Sequence, residues 1–157
     1  MENDIHPLLE QSIEIAAPVA QVWALVSDVC RMADWSPQVT STRLRSGFET
    51  VELDTQFTSR NAHGELVWTT HAEIVRFEPE LELAFRVEEN WAIWAFALSP
   101  THHGSTLLTQ RRELPEGLSD LSKQFADEFL SGQGSFTESQ LAGMRETLDR
   151  IKGAAEA

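Results

Sequence analysis

A chain of 157 residues, 41% hydrophobic and 24% charged, is long enough to bury a core or enclose a cavity and too apolar to stay disordered. Its 25 acidic side chains against 12 basic ones leave a formal charge of −13, which opposes nucleic acid and anionic membrane surfaces as partners. The apolar run 92–98, extended only by Trp91, falls far short of the roughly 20 residues of a membrane-spanning helix, so no membrane insertion is expected.

The first ten residues, MENDIHPLLE, have no basic region leading into an apolar stretch, so no secretory signal is expected. The single cysteine, Cys30, precludes an internal disulfide and suits a cytoplasmic location. A first strand is predicted over 8–16, alternating through Ile13 and Ile15. Pro18 suits the first position of a helix, and Val19, Val22, Trp23 and Val26 form its apolar stripe. A second short helix is predicted within 28–37, closed by Ser36-Pro37 because a residue before proline avoids the helical region.

From 38 to 113 the texture changes to six short β-rich runs: 38–46, 51–61, 66–77, 81–89, 91–99 and 105–113. Gly47, His63-Gly64, Pro79 and the Thr101–Gly104 turn punctuate them. Period-two alternation puts Val51, Leu53 and Phe57 on a covered face, with Ser59 and Asn61 following in phase. Trp68, Thr70, Ala72 and Ile74 share a face in the same way, as do Leu81, Leu83, Phe85 and Val87. Trp94, Phe96 and Leu98 form a further row, and Thr106, Leu108, Gln110 and Arg112 the last. Short connections between such runs imply an antiparallel meander.

The third section returns to helix. Leu118, Leu121, Phe125 and Phe129 recur at helical period over 118–131, and glycines at 117, 132 and 134 could hinge that segment as a lid. Thr137 and Gln140 have capping-box spacing, and Phe136 and Leu141 that of a hydrophobic staple. A last helix is therefore predicted over 137–153, with Leu141, Met144, Leu148 and Ile151 as its stripe and Gly153 as its stop. The order of elements describes one α+β domain over 1–157: a curved antiparallel sheet covered on its concave side by the last helix. A curled sheet cannot follow a helix along its whole length, and the gap is a natural ligand site.

Several phrases carry a family resemblance: IEIAAPVAQVWALVSDVCRMADWSP, FEPELELAFRV, the WAFALSP and GSTLLTQ stretches, and AGMRETLDRIK. Over 11–152 the chain resembles the polyketide cyclase/dehydrase group of the START-like, helix-grip superfamily, also called SRPBCC or birch-pollen-allergen-like. The resemblance implies a seven-stranded sheet gripping the C-terminal helix around a hydrophobic cavity. It implies ligands such as lipids, sterols, plant hormones or polyketides, with cyclisation or dehydration in some members.

On that reading the cavity wall is Phe57, Trp68, Phe85, Trp94, Phe96, Met144 and Leu148, with Trp35 in the loop at the entrance and Phe125 and Phe129 on the lid. The same aromatics also suit plain core packing. Asn61, Thr70, Gln110 and Arg112 would orient a polar end of the ligand, and Arg112 would favour acidic ligands. His63, His102 and His103 fall in turns and His71 on the wet face, so no metal site is expected. Cys30 lies beside Arg31 with no base in view and reads as a packing residue. No glycine-rich phosphate loop occurs, and no cofactor is expected.

The expected function is binding of a small to medium hydrophobic ligand, lipid-like or polyketide-like. The alternatives are a polyketide aromatase/cyclase or dehydratase using the same cavity, and a protein-interaction module with an acidic surface.

Overall fold

The first strand and the six runs of the alternating central section form one seven-stranded antiparallel sheet. The structure is a computed structural model and describes residues 8–115 and 133–157, with side chains in the second stretch from Glu138 onward. The predicted 118–131 helix and its lid role lie outside the described residues. The strands are β1 Leu8–Ile15, β2 Val39–Leu44, β3 Gln56–His63, β4 Leu66–Glu78, β5 Glu82–Val87, β6 Ile93–Pro100 and β7 Thr106–Glu113, and they lie in the order β1-β7-β6-β5-β4-β3-β2. Helix α1, Val19–Val26, and a 3-10 turn, Val29–Asp34, follow β1, and α2, Gln133–Glu156, closes the chain.

Registers explain why one face is covered. Phe57 pairs with Ala72, Phe85 with Trp94, Leu83 with Phe96, and Phe96 with Gln110, so in-phase residues of neighbouring strands form continuous rows. A bulge between Ile74 and Arg76 resets the phase of β4. Phe77 thereby joins the covered side opposite Leu83, with its ring centroid 5.5 Å from that of Trp23.

Some strand limits are shorter than the sequence pattern suggests. The strand predicted from 51 begins at Gln56, because Asp54 takes a positive φ of 72° and Thr55 Oγ1 donates to the Thr50 carbonyl at 2.8 Å. Leu53 therefore sits in a turn and is exposed. Leu81, assigned to the covered face, is 57% exposed, since Glu80 (φ 66°) turns the chain just before β5 begins.

The helices differ in detail too. Pro18 is the N-cap of α1, with extended ψ, rather than its first helical residue. Cys30 is exposed rather than packed, and partial burial with Asp28 nearby pushes its thiol pKa up. Helix α2 already runs through Thr137, which is therefore not its N-cap, and it continues past Gly153. Tertiary contacts hold that last turn. Gln21 Nε2 donates to the Ala155 carbonyl at 2.6 Å, and Glu156 Oε2 accepts from the Ala16 amide at 2.8 Å and from Lys152 Nζ at 2.6 Å. These bonds outweigh the roughly 1 kcal/mol that a helical glycine costs.

At 24 residues α2 is about 36 Å long, and its two halves meet different surroundings. Leu148, Ile151 and Ala155 join a core cluster with Ile15, Val22, Val26, Leu98 and Leu108. A second cluster, around Phe57, Ile74, Leu83, Phe85 and Val87, lies across β3 to β5. The stretch of α2 from Ser139 to Thr147 borders open space instead. No helix among the described residues is long and apolar enough to cross a membrane.

Candidate functional site

That space is a cavity of about 370 Å³ between residues 139–147 of α2, the inner rows of β3 to β7 and the segment Met32–Val39. Pro37 stands against α2 here, within 3.7 Å of where a Cβ on Gly143 would lie. The chain after the 3-10 turn thus forms one side of the cavity and brings buried Trp35 into its wall, with the Arg31 guanidinium 5.0 Å from the indole centroid.

The aromatic wall comes from pleated strands whose inner residues recur every two positions. Phe57, Trp68, Phe85, Trp94 and Phe96 all line the cavity. Phe57 and Phe85 meet edge to face at 5.2 Å, which fixes their rings. Met144 lines it from the helix, together with Ser139, Gln140, Gly143 and Thr147.

The polar positions fall into two groups. Asn61 and Thr70 line the cavity on β3 and β4, where Asn61 Nδ2 donates to Thr70 Oγ1 at 3.1 Å and to the Ser59 and Trp68 carbonyls at 3.3 and 3.4 Å. That fixes the nitrogen on the sheet and leaves the amide oxygen as the acceptor. Gln110 lines the opposite side on β7. It is only 7% exposed, and its Oε1 has no hydrogen-bond partner among the described residues.

Arg112, two residues further on the same face, is 2% exposed but does not itself line the cavity. Its Nη1 donates to Gln140 Oε1 on α2, and Gln140 stands between it and the open space. Burial lowers the guanidinium pKa to about 10, so it remains protonated at neutral pH. Leu148 is also off the cavity, packed in the core one turn beyond Met144. Phe125 and Phe129 lie outside the described residues.

Among the described lining residues Glu89 is the only charged one. Its two oxygens are held by His71, one by the backbone N–H at 2.8 Å and the other by ring Nδ1 at 2.6 Å. This fastens the β5–β6 turn onto the outer side of β4. The sequence reading missed Glu89, Gln140 and Thr147. Helical spacing from Met144 (four residues back, three forward) marks the latter two, whereas nothing local marks a turn glutamate. The arrangement offers shape, aromatic surface and amide hydrogen bonds.

A family model described as polyketide cyclase / dehydrase and lipid transport matches residues 6–156. A comparison with curated proteins gives no match. Among solved structures, a polyketide-cyclase-like protein from Corynebacterium glutamicum is 30% identical, with 92% of this chain and 88% of that one covered and a TM-score of 0.57. An aromatase/cyclase from Streptomyces sp. R1128 shares the fold at 14% identity and a TM-score of 0.75, with 95% and 93% covered. A major latex-like protein from Panax ginseng does so at 14% identity and a TM-score of 0.70, with 96% and 97% covered. With nearly the whole length matched, the chain belongs to the polyketide cyclase/dehydrase and lipid transport family, and its curved seven-stranded sheet with a long C-terminal helix is the helix-grip fold.

Proposed function

We propose that the protein binds a small to medium hydrophobic molecule, lipid-like or polyketide-like, between its sheet and α2, with residues 1–157 acting as one domain around that cavity. The carrying observation is the cavity itself, about 370 Å³ walled by Trp35, Phe57, Trp68, Phe85, Trp94 and Phe96. Aromatic walls with a few placed polar groups are the usual make-up of a small-molecule site. Cytoplasmic residence belongs to the same reading, supported by the exposed Cys30 thiol in a chain that can form no internal disulfide.

The second reading is catalysis in the same cavity, a cyclisation or dehydration. The unpartnered Gln110 Oε1 favours it, since an acceptor that holds a hydroxyl or enol can accelerate ring closure by positioning alone. Native mass spectrometry of protein purified from its own host tests the first reading. Added mass that leaves on denaturation is expected, and its composition separates a lipid from a polyketide. An unliganded protein that also binds no apolar probe would refute it.

A further inference from the structure

The polar end of the cavity on β7 and α2 has a readable hydrogen-bonding polarity. A guanidinium has only donors, so the bond from Arg112 fixes the orientation of the Gln140 amide. Its oxygen is committed to Arg112, and its Nε2 is left as a donor for whatever occupies the cavity. Gln110 stands on the same face of β7, two residues before Arg112, and sets a buried acceptor without a described partner into the same wall. An unsatisfied buried acceptor costs free energy that a ligand donor would recover.

The charge of the wall points the same way. Its described residues hold no lysine, arginine or histidine, and the one carboxylate is that of Glu89. A ligand anion would lose its hydration to a wall of amides and hydroxyls inside a molecule of charge −13. We infer that the cavity selects an uncharged group carrying both a hydrogen-bond donor and an acceptor, read by Gln110 and Gln140, and that Arg112 acts as a positioning residue through Gln140. This rests on the ligand-binding reading of the cavity. It reverses the expectation that Arg112 favours acidic ligands.

Matched naphthalene probes test it by calorimetric titration at neutral pH: 2-naphthamide (neutral donor and acceptor), 2-acetonaphthone (acceptor alone), 2-naphthoate (anion) and naphthalene. The expected order is amide, then ketone, then carboxylate, with about tenfold between the first two, the size of one net hydrogen bond, and a wider gap to the carboxylate. Gln110→Leu should bring the amide down to the ketone without moving the ketone. Gln140→Leu and Arg112→Met should each weaken amide and ketone alike, about tenfold, while naphthalene binding stays constant. A structural collapse would lower naphthalene as well. If Arg112→Met does not fold, Gln140→Leu on the helix surface carries the test alone. Tightest binding of naphthoate, lost selectively in Arg112→Met, would make Arg112 an anion site and overturn the inference. Equal affinity for all four probes would overturn it while leaving the ligand-binding reading intact. No binding of any probe would remove both.

Discussion

Truncating α2 at two neighbouring apolar positions separates the helix's structural role from its cavity role. Leu148 is fully buried and packs against the cluster built on Ile15, Val22, Leu98 and Leu108. Leu148→Ala removes buried carbon worth about 2–3 kcal/mol of transfer free energy, and a partly collapsed void raises the cost to about 3–4 kcal/mol. For a chain of this size that lowers the melting temperature by about 6–16 °C. Met144 is almost as buried but borders the cavity, so the space its truncation opens joins a cavity already present and adds little to the transfer cost of the lost carbon. Met144→Ala should cost about 1–2 kcal/mol, below the usual range for such a truncation. Urea denaturation followed by tryptophan fluorescence measures both, and 2-naphthamide titration measures binding. Leu148→Ala should leave the probe affinity of the folded protein unchanged, whereas Met144→Ala should alter it. Equal destabilisation by the two variants, or a binding change confined to Leu148→Ala, would refute this division of the helix.

Gly143 lies inside α2, where an added Cβ would meet Pro37 Cγ at an ordinary contact distance of 3.7 Å. Gly143→Ala should therefore raise stability by about 0.5–1 kcal/mol in thermal melts, and a fall in melting temperature would show that the helix needs more room there. The Glu156 carboxylate is held below the ordinary range, first by its bond to Lys152 and then by the Ala16 amide. A carboxylate depressed in the folded state contributes its stability above its unfolded pKa of about 4.3 and loses it as pH falls through the lower folded value. Glu156→Gln should accordingly shift the urea midpoint at neutral pH and converge with wild type in strong acid. A difference independent of pH would exclude the carboxylate as its source.

Much of the fold was legible because its signals are local. Period-two alternation placed Phe57, Ser59 and Asn61 in one row and Thr106, Leu108, Gln110 and Arg112 in another, and the pleat of a strand allows no other arrangement unless a bulge intervenes. Where a turn or bulge did intervene, the pattern misled: Leu53 and Leu81 are exposed, and Phe77 reaches the covered side only through the irregularity between Ile74 and Arg76.

Within each regular strand the sequence by itself determined which residues face inward, because a backbone repeat sets that. Only the tertiary structure decided how deep each inward residue lies and what it meets. Gly153 reads locally as a stop, yet α2 runs on because Gln21 and Ala16, more than a hundred residues away in the chain, bind its last turn. Leu148 and Met144 share one stripe, yet one fills the core and the other borders a cavity, because the curved sheet and α1 pack against the helix around Leu148 and leave open space beside Met144. Arg112 shares the inner face of β7 with Gln110, but whether its charge meets a ligand depends on the distance from β7 to α2. That distance puts Gln140 between them, and periodicity within one strand contains no information about it.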